Sequence, residues 1–374
     1  MKEQTLLCFR LKSKEEVLEA IEKYQHTEIV LVLGTKIEKL FFIHNMWKDW
    51  KECIIKVIDI DELLEGEIDN MKFNHEIGNP PYHKIVGPDN RFTIWDTLVL
   101  KFETLLKDGG DYHMIHPGGW RISSNSSANN NFVKVKQMYM KNDVSYIELN
   151  DTAKGKKTFD AATDYDVISM IKKPYSGIST VVTEFETEDL NLRDFNVLPT
   201  HNISLFKRIK STSVNKIQTI FDSAYHTSNG GEKCRTRNIK DKIFKHPCVY
   251  GYPEKGIKFF YANTTDKGHF GIPKLILVKA STKSILDLDG DYGLTQFAYG
   301  IVDTPTNLIK MQKVLSDEKL QRILSSFVGR NDKAILVPNG SNFNFIKEFR
   351  KDWWKEFYTE EMEQELIAEG KLNG

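Results

Sequence analysis

Ile77-Gly78-Asn79-Pro80-Pro81-Tyr82 lies between an acidic, β-branched segment and an amphipathic helical pattern. Two consecutive prolines fix two φ angles and remove two backbone donors, so the carbonyls of Asn79 and Pro80 are held outward with no neighbouring N–H to engage them. A planar amine placed there meets two acceptors, the Asn79 side-chain carbonyl and the Pro80 main-chain carbonyl, and a ring to lie on in Tyr82. That suits an exocyclic amino group about to attack an electrophile. The same residues also suit a plain strand end with Tyr82 as an ordinary half-buried aromatic, so the flanking chain decides between the two.

Upstream, residues 5–9 (TLLCF) read as a strand and 13–25 as a helix, capped by Ser13 and burying Val17, Leu18 and Ile21. The apolar run 28–33 ending in Gly34 reads as a buried parallel strand, 37–50 as helix and 53–60 as another strand. This βαβ alternation predicts a doubly wound α/β sheet. Ile58-Asp59-Ile60-Asp61 brings acids to a strand's carboxyl end, where such sheets place ligand contacts. Capping of the next turn is the other use for Asp59 and Asp61.

With these neighbours, Asn79-Pro80-Pro81-Tyr82 resembles the catalytic motif of S-adenosylmethionine-dependent amino methyltransferases, above all the gamma-type DNA adenine-N6 enzymes of type II restriction–modification systems. The resemblance implies a Rossmann-like methyltransferase domain with a closing antiparallel hairpin, over 1–190, and an α+β target-recognition domain over 191–374. It implies a target adenine flipped out of double-stranded DNA, its N6 amine held by Asn79 and Pro80 beside Pro81, with the base stacked on Tyr82. Positioning in line with the methyl group, rather than proton abstraction, then does the work. Asp61 stands where the family contacts the cofactor's adenine. The family's glycine-rich cofactor loop is degenerate here: Gly34, in Leu33-Gly34-Thr35-Lys36, is the sole glycine in the first 60 residues. S-adenosylmethionine is the implied cofactor. A methyltransferase-like DNA-binding subunit whose cofactor site is lost, or completed by a second protein subunit, is the alternative.

Downstream, 92–107 reads as an amphipathic helix ended by Lys107-Asp108-Gly109-Gly110, and 111–117 as the next strand. The helix, glycine pair, strand, Pro117 and Trp120 are similar to the family's succession. Lys154–Lys157 read as a basic turn, and 159–171 resembles the closing hairpin, in which Phe159 would cover the other face of the base. Stacking of that kind is worth roughly 1–3 kcal/mol per contact; Phe159 is equally an ordinary core aromatic. Residues 174–199 read as an acidic linker region.

The chain has 374 residues and a formal net charge of zero, with 52 basic and 52 acidic side chains, so any DNA contact needs a local patch. That patch is Lys233, Arg235, Arg237, Lys240 and Lys242, with Tyr225 and Tyr250 interleaved. A merely solvated charged loop is the other reading. The turn Asp287-Leu288-Asp289-Gly290-Asp291-Tyr292-Gly293 lacks the following helix of a cofactor loop and the terminal Glu of a calcium loop, so no metal is expected. Four scattered cysteines, no membrane-spanning run and an N-terminus without signal-peptide character predict a cytoplasmic location.

Overall fold

The computed structural model describes residues 2–10, 14–85, 91–122, 130–212, 214–227, 235–253, 255–278, 283–318, 320, 321, 323 and 346–373. The chain divides into two compact units, Met1–Leu198 and Pro199–Gly374. Among the described residues no helix is long and apolar enough to cross a membrane.

The first unit runs β1 (Gln4–Phe9), α1 (Lys14–Tyr24), β2 (Glu28–Leu33), α2 (Lys36–Asn45), α3 (Trp47–Trp50), β3 (Ile54–Asp59), α4 (Ile60–Leu64) and β4 (Phe73–Gly78). It continues with β5 (His83–Ile85), β6 (Arg91–Thr93), α5 (Trp95–Leu105), β7 (Leu106–His116), α6 (Asn131–Lys141), β8 (Asn142–Asn150), α7 (Thr152–Phe159), β9 (Tyr165–Pro174), β10 (Ser179–Val182) and β11 (Thr187–Leu190). Nine strands form one sheet in the order β11-β10-β8-β9-β7-β4-β1-β2-β3. β1, β2, β3, β4 and β7 are parallel, and β1 and β2 are buried almost throughout, as strands of a sheet covered on both faces are. β9 runs antiparallel between β7 and β8. This is the Rossmann-like, doubly wound α/β fold, closed by an antiparallel strand. The chain winds outward from β1 through β2 and β3, then returns to the other side of β1 to lay down β4 and β7. The switch point therefore falls between β1 and β4, directly before Asn79.

Four local expectations are corrected. Lys154–Lys157 belong to α7, an eight-residue helix capped by Asp151, which accepts from the Lys154 amide at 2.9 Å. β8 and β9 are joined through that helix rather than by a hairpin turn, and Phe159 is its last residue. Residues 174–199 are not a linker throughout: they contain β10 and β11, two more strands of the sheet. Gly109 and Gly110 lie within β7, with Gly109 at φ +79° where the register against β4 shifts, so they do not end the preceding helix.

Glu76, on β4, is fully buried, and neither carboxyl oxygen has a hydrogen-bond partner among the described residues. Burial pushes its carboxyl well above the ordinary glutamate range, so the folded chain holds a proton that the unfolded chain releases above its own pKa. Stability from this site is full below the unfolded pKa and is lost as pH rises toward the folded one, by up to about 1.4 kcal/mol per pH unit. Glu76→Gln is expected to become progressively more stable than the parent from pH 5 to pH 8 in thermal unfolding. A difference independent of pH would show that Glu76 is not the proton-holding group.

The second unit holds α8 (Ile203–Ile209), β12 (Gln218–Ile220), β13 (Thr236–Arg237), β14 (His246–Gly251), β15 (Lys258–Ala262), β16 (Lys274–Val278), β17 (Ser284–Asp287), β18 (Gly293–Leu294), β19 (Ala298–Val302), α9 (Pro305–Leu315) and α10 (Glu360–Ala368). Its strands form two four-stranded sheets, β12-β19-β16-β17 and β13-β15-β14-β18, around a core that includes Val249, Ile276, Ile285 and Leu294. The acidic turn after β17 closes on itself. Asp287 is buried and accepts from Lys274 Nζ at 2.6 Å, the Asp291 amide at 2.8 Å and the Tyr292 amide at 3.1 Å. Trp353 and Trp354 are buried, packing rather than presenting their rings.

Candidate active site

Gly78 ends β4 opposite Cys8 of β1, and the Asn79 amide donates to the Cys8 carbonyl at 3.0 Å. A Cβ on Gly78 would stand 2.1 Å from that carbonyl oxygen, so the two backbones approach as closely as only glycine permits. At the other end of the motif, the Ile94 amide donates to the Tyr82 carbonyl at 3.1 Å, tying it to the start of α5. Asn79 and Tyr82 are thus pinned by the backbone, while the intervening Pro80 and Pro81 are buried. Among the described residues, neither the Asn79 carboxamide nor the Pro80 carbonyl has a hydrogen-bond partner.

These residues line an open cavity of about 810 Å³. Asn79, Pro80, Pro81, Tyr82, His83 and Ile85 form one wall, and 157–163, including Phe159, another. The tertiary fold therefore brings Tyr82 and Phe159 to one cavity. The Tyr82 hydroxyl is buried with no partner among the described residues, and burial holds it well above the ordinary phenol range, so the ring stays neutral. Phe159 is half-buried with its ring edge-on to Tyr165, centroids 4.8 Å apart.

The second wall is held from behind. Gly155 packs on the chain at Thr163, where a Cβ would come within 1.8 Å of the carbonyl oxygen. Asp166, buried at the start of β9, accepts from Trp120 Nε1 at 2.8 Å and pairs with Arg121 at 3.1 Å; Arg121 also reaches Asp164 at 3.3 Å. Burial outweighs the guanidinium and pushes the Asp166 carboxyl up to about 7.

The residues expected on the cofactor side fall elsewhere. Gly34 follows β2, not the central strand, and is not a lining residue; a Cβ there would meet the Glu38 carboxylate at 2.6 Å. Arg10 is the residue that follows the central strand, lining the cavity with Glu16 of α1 and standing 3.8 Å from Glu38. Asp61 also lies outside the lining: it is exposed in the first turn of α4 and ion-paired to Lys84 of β5. The acid at the strand end is Asp59, buried and capping α4 through the amides of Asp61 and Glu62 at 3.0 and 3.1 Å. Sequence reading missed Arg10, Glu16, Arg91 and Lys157, all lining residues. No local signal marks them, because each is an ordinary charged residue until the fold gathers it.

In the second unit, Arg235 is exposed and 3.7 Å from Asp266, and Arg237 is exposed and 3.7 Å from Asp241. Lys240 and Lys242 are exposed, and Lys233 lies outside the described residues. Of the interleaved tyrosines, one is enclosed and the other half-buried. Tyr225 is fully buried, donating to the Thr264 carbonyl at 2.7 Å, and Tyr250 packs against Phe260 and Phe297.

No protein-family model and no curated protein matches the chain. Similar solved structures include the type IIG restriction endonuclease BpuSI, at 9% identity over 99% of this chain and 62% of that one, TM-score 0.39. A modification subunit of a putative type I restriction enzyme from Vibrio vulnificus is 14% identical over 50% of this chain and 44% of its own, TM-score 0.35. A putative class I S-adenosylmethionine-dependent methyltransferase from Listeria monocytogenes is 10% identical over 48% and 59%, TM-score 0.34. The chain spans less than two thirds of the length of each.

Proposed function

We propose that this chain takes an extruded adenine of double-stranded DNA into the Asn79–Tyr82 cavity and methylates its N6 amine, with S-adenosylmethionine as donor. The observation that carries this reading is the pair of unengaged acceptors, the Asn79 carboxamide and the Pro80 carbonyl, in a cavity also lined by two rings. The two carbonyls accept the two N–H bonds of the amine and turn its lone pair toward the electrophile. Tyr82 and Phe159 stack the base, offsetting the unstacking cost. The lone pair of this amine is conjugated into the ring, and two acceptors on its N–H bonds favour the tetrahedral nitrogen on which the pair is localised. As the N–C bond forms, the methyl–sulfonium bond breaks to leave a neutral thioether, and the methylated nitrogen gives up one proton to solvent.

The donor supplies an electrophilic methyl group when bound. Arg10 and Glu16, on the β1–α1 side of the same cavity, complement the carboxylate and ammonium of its amino-acid moiety. Asp61, exposed in the first turn of α4 just past the carboxyl end of β3, is the acid available to its nucleoside. Arg235, Arg237, Lys240 and Lys242, with Lys233, would hold phosphates.

One observation favours a second reading. No glycine follows β1, and the Arg10 guanidinium is drawn toward Glu38 where the resemblance implies a close backbone approach. In this reading the chain binds DNA and the base, and a second subunit completes the cofactor site or the chain is not catalytic. Calorimetric titration with S-adenosylmethionine, alone and with duplex DNA, separates the two. Micromolar binding with transfer of labelled methyl groups to adenine is the expected result. DNA binding without cofactor heat selects the second reading, and a folded chain that binds neither deoxyadenosine nor duplex DNA sinks both.

A further inference from the structure

The connection between β13 and β14 carries two large apolar side chains that the fold leaves in water. Ile239 is 71% exposed and Ile243 66% exposed. Both lie in Ile239-Lys240-Asp241-Lys242-Ile243-Phe244-Lys245, where all three lysines are exposed. The segment is fastened at several points. Asp241 Oδ1 accepts from the Ile243 amide at 2.7 Å and the Phe244 amide at 2.6 Å, and the Asp241 amide donates to the Phe244 carbonyl at 3.0 Å. Phe244 is buried, with the Arg237 guanidinium 4.4 Å from its ring centroid and 3.7 Å from the Asp241 carboxylate. The Lys245 amide donates to the Ala262 carbonyl of β15 at 3.1 Å.

Those contacts consume the segment's acid internally. What faces outward is a pair of χ1-restricted isoleucines framed by lysines. A nonpolar protein surface would not call for the lysines, and a phosphate clamp would not call for the isoleucines. Duplex DNA offers both complements at once, an apolar base stack between two rows of phosphates.

We infer that this segment is a wedge: Lys240, Lys242 and Lys245 engage phosphates while Ile239 and Ile243 press between base pairs and unstack them. The inference rests on the DNA reading proposed above. It goes beyond that reading in assigning the second unit a deforming contact made by apolar side chains.

The test uses the full chain and a closed-circular plasmid relaxed by topoisomerase I in the presence of saturating protein. Local unstacking unwinds the duplex, so the recovered plasmid is expected to show a shifted linking-number distribution. Ile239→Ser/Ile243→Ser should lose at least half of that shift while mobility-shift binding weakens less than tenfold and its salt dependence holds. Lys240→Glu/Lys242→Glu should weaken binding tenfold or more and flatten the salt dependence. A serine pair that shifts the plasmid as the parent does, or a parent that binds without any shift, overturns the wedge and leaves the DNA reading standing. No binding to the plasmid sinks the DNA reading itself. Cosedimentation with phosphatidylserine vesicles would then assign the segment to an anionic membrane, which also overturns the wedge.

Discussion

Asn79→Ala is expected to lower methyl transfer to adenine by at least about 100-fold, the order of loss seen when one fixed polar contact to a reacting group is deleted. The carboxamide is one of only two acceptors proposed for the amine, and no residue among those described holds it in another hydrogen bond. Alanine removes the acceptor without disturbing the Asn79 amide, which keeps its bond to Cys8. The chain should therefore stay folded and still shift duplex DNA. Asn79→Asp keeps an acceptor and should retain part of the rate, whereas Asn79→Leu should not. Labelled-methyl incorporation measures all three. Transfer by the alanine variant at the parent rate would remove Asn79 from the site.

Gly78→Ala should act on stability instead, and more severely than a surface substitution. Its Cβ would meet the Cys8 carbonyl oxygen at 2.1 Å and the carbonyl carbon at 3.0 Å. Both are backbone atoms of the central strand, which is hydrogen-bonded on its two sides to β2 and β4 and has no room to move. Relief requires parting β1 from β4 at the switch point, which also displaces Asn79. Overpacking of side chains costs about 1–3 kcal/mol, and a backbone clash of this kind should exceed about 3 kcal/mol. Urea unfolding followed by tryptophan fluorescence of the first unit reads the loss. A variant as stable as its parent would mean that the strands separate more easily than their hydrogen bonding implies.

The alternation of apolar runs with helical periodicity was enough to read the doubly wound sheet, because parallel strands covered on both faces must be continuously apolar, as in Ile29–Leu33. That the carbonyls of Asn79 and Pro80 are left without partners among the described residues was also legible, since proline's fixed φ and missing donor are properties of the residue itself. Reading went wrong where the sequence offers residues without neighbours. Residues 174–199 look like an acidic linker because β10 and β11 are short strands toward a sheet edge, with too few residues to show alternation. Tyr225 resembles a base-reading aromatic until the fold encloses it.

By itself, then, the sequence determined the fold class and the two unengaged carbonyls of Asn79 and Pro80, because both follow from local properties: burial periodicity and proline geometry. Only the tertiary structure decided which strand is central, and hence that Arg10 and not Gly34 stands at its end beside Asn79. It also decided that Phe159 shares a cavity with Tyr82, and that Asp59 caps a helix while Asp61 pairs with Lys84. The physical reason is that strand order and side-chain pairing arise from contacts between residues far apart along the chain. No periodicity within a single segment carries that information.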